Sequence, residues 1–183
     1  ESFAKSTRSL KNKYKLIITC QITQQSVSEL RTFMKNLNLN DEQVVFTGHV
    51  SDKEMLKLYR RCSLFIFPSW EEGFGLPVLE AMACGAPVLA ANAASIPEIG
   101  GGSLIYFDPF DVQDLATKII SSLSEPDNLL TQSLFNVKRA KTFKWSKVAQ
   151  KSIEAINATI KETPKNQIKT LKISKKLKLA YFS

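Results

Sequence analysis

The sequence has few of the side chains on which metal and thiol chemistry depend. It contains one histidine, His49, and three cysteines, which are far apart and never arranged as Cys-x-x-Cys. One histidine leaves a metal site few ligands. Scattered thiols beside apolar or small residues are typical of buried free cysteines in a reducing compartment. We therefore expect no metal, no disulfide framework and a cytoplasmic location.

A long apolar run is also missing. None approaches the roughly 20 residues needed to span a bilayer, and the opening residues ESFAKSTRSLKNKYK lack the apolar core of a signal peptide. Because the chain does not begin with methionine, we expect it to be a fragment of a longer protein. Its 183 residues, with hydrophobic and charged shares of 44% and 23%, predict one globular domain.

Acidic residues are scarce mainly at the carboxyl end. Residues 161–183 carry seven lysines and one glutamate, whereas the rest of the chain carries 18 basic and 16 acidic side chains. Most of the net charge of +8 therefore belongs to this tail, which favours a solvated basic linker over residues 161–176 rather than a nucleic-acid surface. The apolar end LKLAYFS, residues 177–183, predicts either the first strand of a following domain or an unstructured end.

Short apolar runs alternate with segments of helical periodicity along the rest of the chain. The predicted strands lie in YKLIITC, QVVFTG, SLFIFPS, PVLAA and GGSLIYF. Two helix starts carry caps, Ser51 with Glu54 and Asp111 with Asp114. The alternation predicts an α/β domain over residues 1–160, with a Rossmann-like parallel sheet flanked by helices. In such sheets, ligands bind beyond the carboxyl ends of the strands.

One strand-to-helix corner, EEGFGLPVLEAMACGAPV at residues 71–88, has the composition of an anion site. A helix predicted to begin near Leu76 offers unpaired amide groups and a partial positive charge, where a phosphate can bind. Gly73 and Gly75 let a ligand approach the backbone closely. The spacing is neither that of a P-loop nor the Gly-x-Gly-x-x-Gly of dinucleotide-binding folds.

Three glutamates flank this corner and have different interpretations. An ionised carboxylate only accepts hydrogen bonds, so Glu72 and Glu80 suit the hydroxyls of a hexose and a ribose, with phosphates between them. Glu71 is interpreted as an incidental surface residue, favourable near a helix start without any ligand. For Glu80 the alternative is a partly exposed helix residue. The predicted inward face of its helix consists of Leu79, Met82 and Ala83.

The segment EGFGLPVLEAMACGAPV resembles the E-x7-E signature of retaining glycosyltransferase family 4, whose members have the GT-B fold. Glu72 and Glu80 occupy its two glutamate positions, with seven residues between them. The segments FTGHVSDKEMLKLYRRCSLFIFPS, SIPEIGG, FDPFDVQDLA and FKWSKVAQ also occur in the family's order. The resemblance extends over residues 1–160.

This resemblance implies the C-terminal, donor-binding half of a GT-B enzyme of polysaccharide biosynthesis. A UDP- or GDP-linked sugar would donate a hexose with retention of configuration at the anomeric carbon. The acceptor would be a glycan or a lipid-linked molecule, bound by an N-terminal half that is absent here. Glu72 would contact the sugar near the reacting carbon as the catalytic position, and Glu80 would bind the ribose. No metal or other cofactor is implied, and the whole protein would lie in the cytoplasm or at the inner face of the membrane. The remaining implied donor-binding residues are Gly73, Phe74, Gly75, Leu76, Gly48, His49 and Val50.

The chain also departs from the family pattern. The basic pair that clamps the diphosphate lies upstream of the first helix in the family, so it is missing here, and the fragment is expected to bind donor weakly and transfer nothing alone. Cys20 stands where many members have glycine. His49 is either a loop residue at the edge of the site or a nucleotide contact, and Trp145 is predicted to pack in the core rather than stack on a sugar. Two alternative functions are a non-catalytic nucleotide-sugar-binding module of a larger, single or tandem, glycosyltransferase protein and a GT-B epimerase.

Overall fold

Helices and strands alternate along the chain. The computed structural model describes residues 1–6, 8–20 and 23–162. The strands are β1 Leu16–Ile18, β2 Val44–Phe46, β3 Phe65–Phe67, β4 Val88–Ala91 and β5 Ile105–Phe107. The helices are α1 Ser2–Lys5, α2 Arg8–Lys13, α3 Gln24–Asn36, α4 Asp52–Arg61, α5 Leu76–Ala83, α6 Ile96–Gly100, α7 Val112–Ser124, α8 Pro126–Ala140 and α9 Trp145–Glu162, with a 3-10 turn at Gly101–Ser103.

The chain divides into two compact units, Glu1–Thr142 and Phe143–Ser183. All five strands belong to the first unit, and α9 belongs to the second. Of the predicted basic linker, residues 161 and 162 end α9, while residues 163–176 and the predicted strand at 177–183 lie outside the described residues.

All the strand pairs are parallel. β1 pairs with β2, and β4 lies between β3 and β5, with Phe65 opposite Val88 and Leu89 opposite Ile105. The four residues of β4 are fully buried, as expected of a central strand covered on both faces. The prediction of an α/β fold with parallel sheets and flanking helices is confirmed.

Helix α5 presents a different face to the core from the one predicted. Met82 is fully buried as expected, but Ala83 is exposed and Leu79 is only half-buried. Val78 and Ala81 take the inward places instead, and Val78 lies three residues before Ala81 and four before Met82. Nearly every position of this helix is apolar, so its sequence has little contrast from which the rotation of the helix can be read.

Side chains from α8 hold the segment that connects α5 to β4. The buried amide of Gln132 accepts from Val88 N at 3.1 Å and donates to Val88 O at 2.8 Å. Asn136, also buried, donates from Nδ2 to Ala86 O at 2.8 Å. Because buried backbone groups need partners, these amides fix where α5 ends and β4 begins.

Both predicted helix caps are confirmed. Ser51 and Glu54 form a reciprocal capping box, in which Ser51 N donates to the Glu54 carboxylate at 2.9 Å. Hydrogen bonds from Ser51 hold the pKa of the Glu54 carboxyl below its usual value. The Asp111 carboxylate accepts from Gln113 N at 2.7 Å and Asp114 N at 3.1 Å.

Helix α9 has an exposed apolar side. Trp145 is 78% exposed, and Val148, Ile153, Ile156 and Ile160 are also exposed. The predicted core packing of Trp145 is therefore wrong. Periodicity shows which residues share a helix face, but it does not show whether another element covers that face. Within residues 1–6, 8–20 and 23–162, no helix is both long and apolar enough to cross a bilayer.

Candidate donor-binding site

The corner between β3 and α5 depends on one glycine for its shape. Gly75 caps α5 in the left-handed region, with φ 89° and ψ 45°. A Cβ atom on Gly75 would lie 2.5 Å from Ile96 Cδ1. Gly73 has ordinary backbone geometry, and a Cβ there would meet no atom within 4 Å. Gly75 is thus required by the fold, whereas Gly73 leaves open space beside the loop.

We expect Gly75→Ala to destabilise the chain far more than Gly73→Ala. The left-handed conformation costs a residue with a side chain roughly 1–2 kcal/mol, and the new methyl group would also displace the buried Ile96. Urea unfolding should therefore show a loss of about 2 kcal/mol for Gly75→Ala and less than about 0.5 kcal/mol for Gly73→Ala. Equal unfolding midpoints for the two variants would contradict this account.

The start of α5 has the features that bind anions. Gly75 provides no side-chain cap, and Pro77, in the first turn, has no backbone N–H. The helix dipole adds partial positive charge at a helix start. Val78 N of this first turn already donates to Gly75 O at 3.0 Å, so the candidate donors to an anion are the backbone N–H groups before Pro77. The side chains of Phe74 and Leu76 are exposed beside this turn. The corner therefore presents backbone, rather than a capping side chain, to an incoming ligand.

Glu72 lies half-buried in the loop before this turn. Its backbone oxygen accepts a hydrogen bond from Ser95 Oγ at 3.2 Å. Ser95 immediately precedes α6, so the loop is anchored to a second helix. Glu71 is exposed, as expected of an incidental residue, and its backbone oxygen accepts from Ser69 Oγ at 3.2 Å.

Glu80 lies one turn into α5 and is exposed. Its Oε2 accepts from Tyr59 Oη of α4 at 3.3 Å. The Tyr59 ring is buried and packs edge-on against Phe65, with ring centroids 5.2 Å apart. Burial, followed by the charge of Glu80, raises the pKa of the Tyr59 hydroxyl far above its usual value. Tyr59 therefore stays a hydrogen-bond donor, and it limits the orientations open to the Glu80 carboxylate.

The predicted base-binding loop follows the carboxyl end of β2. Gly48 has a positive φ of 67°, His49 is exposed and Val50 is half-buried. The loop thus occupies the same position relative to β2 as the corner does relative to β3. Contact between these three residues and a nucleotide stays a prediction, as do both interpretations of His49.

The basic residues near the amino end have local partners. Lys11 Nζ donates to Ala4 O at 3.1 Å, and Lys13 Nζ lies 5.2 Å from the centroid of the Tyr14 ring. Neither contact assigns Lys11 or Lys13 a role in binding a diphosphate.

Cysteine chemistry is not favoured in the described residues. Cys20, Cys62 and Cys84 are all free and half-buried. Burial raises the pKa of the Cys62 thiol to about 11, and burial also raises the pKa of Cys84. Both thiols therefore stay protonated near neutral pH, where a thiol is a poor nucleophile. In the part of the chain that the structure describes, no three His, Cys, Asp or Glu side chains are grouped to hold a metal.

Two contacts at the candidate site were missed by reasoning from the sequence. Tyr59 is 21 residues before Glu80, and Ser95 is 23 residues after Glu72. No local pattern links residues so far apart, because α4 and α6 reach the corner only through the packing of the fold.

Solved structures of similar fold include a UDP complex and a glycosyltransferase. HepE of Anabaena, solved in complex with UDP, matches with a TM-score of 0.73 and 25% identity, over 86% of this chain and 43% of HepE. WaaG, a glycosyltransferase involved in lipopolysaccharide biosynthesis, matches with a TM-score of 0.71 and 19% identity, over 85% of this chain and 41% of WaaG. The fold is therefore that of GT-B glycosyltransferases.

The sequence comparison gives the family. Residues 1–136 match Glycosyl transferases group 1. The serotype-specific mannosyltransferase WbdA of Escherichia coli is 30% identical over 154 residues, which are 84% of this chain and 19% of WbdA. The chain belongs to the glycosyl transferases group 1 family, and it spans about a fifth of the length of this curated relative.

Proposed function

We propose that the chain is the C-terminal, donor-binding half of a retaining family 4 glycosyltransferase that transfers a hexose from a nucleotide-diphosphate sugar. One observation carries the proposal: a glycine-capped helix start lies between two carboxylates separated by seven residues, the E-x7-E spacing. Two similarities support it, since WbdA is a mannosyltransferase and HepE was solved with UDP.

The diphosphate binds at the start of α5. The backbone amides of Gly73, Phe74, Gly75 and Leu76 face it, and the helix dipole stabilises its charge. The open space beside Gly73 admits a phosphate or sugar close to the backbone. Fixed donors of this kind lower the barrier when negative charge builds up on the departing diphosphate.

The two glutamates bind the sugars on either side of the diphosphate. Glu72 accepts from hydroxyls of the hexose and positions the carbon that reacts. Glu80, held by Tyr59, accepts from the ribose hydroxyls. Gly48, His49 and Val50 contact the base. The bond from the anomeric carbon to the diphosphate breaks, the oxygen of the acceptor hydroxyl bonds to the same face of the sugar, and its proton passes to the departing diphosphate. Positioning and charge stabilisation therefore perform the catalysis.

The rest of the enzyme belongs to other parts of the full-length protein. The side chains of Phe74 and Leu76 are exposed at the proposed diphosphate position, and the greater length of relatives such as WbdA supports a separate acceptor-binding half. We keep residues 1–160 as the proposed donor domain, residues 161–176 as the proposed basic linker and residues 177–183 as the proposed first strand of a following domain. The acceptor is a glycan or lipid-linked saccharide, and the full-length protein lies in the cytoplasm or at the inner face of the membrane.

The proposal is tested by calorimetric titration of the full-length protein with UDP, GDP and ADP. We expect UDP or GDP to bind at least about tenfold more tightly than ADP, and the 183-residue chain alone to bind the same nucleotide more weakly and to transfer no sugar. Failure of the full-length protein to bind any of the three would overturn the proposal. Binding of a nucleotide sugar without transfer to any acceptor would favour the non-catalytic module.

Tyr59→Phe should weaken donor binding without abolishing it. The change removes the hydroxyl that orients Glu80, and one such hydrogen bond contributes about 1 kcal/mol, which is roughly a fivefold rise in the nucleotide Kd. Calorimetry on Tyr59→Phe, Glu80→Ala and the double variant measures the coupling. If Tyr59 acts through Glu80, Tyr59→Phe should have little further effect on the nucleotide Kd once Glu80 is alanine. Fully additive losses of binding free energy in the double variant would contradict this role.

A further inference from the structure

Two large aromatic rings lie stacked on the surface of the first unit. Trp70, in the loop after β3, and Phe110, after β5, have ring centroids 6.0 Å apart and planes inclined by 22°. They are 61% and 81% exposed. Because aromatic side chains have much to gain from burial, a stacked pair that remains this exposed marks a binding surface.

The turn that carries Phe110 is held by hydrogen bonds. Phe110 N donates to the Asp108 carboxylate at 2.9 Å, and Asp108 N donates to the Asp114 carboxylate at 2.9 Å. Asp111 N donates to Asp108 O at 3.1 Å. These bonds hold the backbone of the turn, and the Trp70 ring stacks on that of Phe110, so a ligand meets a partly ordered surface.

Beside Phe110 lies an open hollow of about 430 Å³, within the size range of ligand sites. Its lining combines the Phe110 ring with the polar side chains of Asn92, Asp108, Asp114 and Lys118. An amide, two carboxylates and an ammonium group provide both donors and acceptors. A pyranose ring has matching chemistry, because its C–H face packs on an aromatic face and its hydroxyls donate and accept at the edge. The two carboxylates disfavour a phosphate at the same place.

The pair is continuous with the candidate donor site. Trp70 is two residues before Glu72 on the same loop. Strands β3 and β5 both pair in parallel with β4, so the loops that follow β3 and β5 lie at the same end of the sheet. We propose that the stacked pair Trp70–Phe110 and the adjoining hollow are a subsite for a pyranose ring of the acceptor saccharide. The assignment to the acceptor rests on the proposed function, since it needs the sugar donor at the neighbouring corner.

The test uses the full-length protein and mannotetraose, chosen because the relative WbdA is a mannosyltransferase. Calorimetric titration compares the unaltered protein with Trp70→Ala, Phe110→Ala and the matched control Trp145→Ala, an exposed tryptophan of the second unit. We expect the mannotetraose Kd to rise about tenfold in each of the first two variants and to stay unchanged in the control. The Kd for UDP or GDP should change less than about twofold in all three, and Phe110→Tyr should restore most of the affinity for mannotetraose.

Two results would overturn the subsite. One is a mannotetraose Kd that is unchanged in Trp70→Ala and Phe110→Ala. The other is a mannotetraose Kd that rises only in parallel with a lower urea-unfolding midpoint of the full-length protein and with an equal rise in the Kd for UDP or GDP, which means that the pair supports the fold rather than a saccharide. If the unaltered protein binds no nucleotide while mannotetraose still requires Trp70 and Phe110, the proposed function fails and the saccharide site stands.

Discussion

Replacing Glu72 by alanine is expected to reduce sugar transfer by the full-length protein by at least about 100-fold. A single preorganised hydrogen-bonding group beside a reacting centre contributes a factor of this size, and misplacing the substrate by about 1 Å has a similar effect. Glu72 meets the structural requirement, because it is half-buried and its loop is anchored to Ser95. Initial rates with a radiolabelled nucleotide sugar measure the loss.

Glu71→Ala is the matched control for this experiment. Glu71 has the same side chain on the same loop, yet it is exposed and next to the candidate position. We expect the transfer rate of Glu71→Ala to remain within about twofold of that of the unaltered protein, because substitutions at exposed positions usually have small effects. Equal losses of transfer rate for Glu71→Ala and Glu72→Ala would mean that the negative charge of the loop, rather than Glu72 itself, supports transfer. An unchanged rate for Glu72→Ala would show that Glu72 does not belong to the site.

Replacing Glu80 by alanine is expected to weaken nucleotide binding by roughly 10- to 100-fold. A hydrogen bond to a charged group contributes about 1.5–3 kcal/mol, which corresponds to this range of Kd. The loss should appear with UDP or GDP alone, because the proposed partner of Glu80 is the ribose rather than the hexose. Calorimetry on the full-length protein measures it directly.

Glu80→Gln separates charge from shape in the same assay. Glutamine keeps an acceptor oxygen for Tyr59 Oη and for a hydroxyl, so we expect an affinity between those of glutamate and alanine. Glu71→Ala again serves as the control, with an unchanged Kd. A Glu80→Ala protein that binds nucleotide normally would support the alternative of an ordinary exposed helix residue.

The elements that the sequence predicts well are those with local signals. The apolar run around β4 lacks polar alternation, and β4 is fully buried. The capping box of α4 needs only Ser51 and Glu54, and the cap of α7 only Asp111 and its neighbours. Pro77 and Gly75 mark the start of α5 in the same way. Each of these features involves residues within four positions of one another.

The features that escaped prediction depend on the packing of distant segments. The rotation of α5 depends on what covers it, which placed Val78 and Ala81 inward instead of Ala83. The hydrogen bond from Tyr59 to Glu80 and the stack of Trp70 on Phe110 join separate loops and helices. Trp145 lies on a helix face that is apolar in sequence yet exposed in the structure. Periodicity identifies such faces without identifying their neighbours.

Hydrogen exchange of the full-length protein, with and without saturating UDP or GDP, tests the central claim most directly. Bound diphosphate should occupy the amides before and at the start of α5, so exchange should slow at residues 73–76 and, through contact with the base, at residues 48–50. Exchange in α9, in the second unit, should not change. Protection confined to other segments, with the corner exchanging as fast as in the free protein, would contradict the assignment of the donor site.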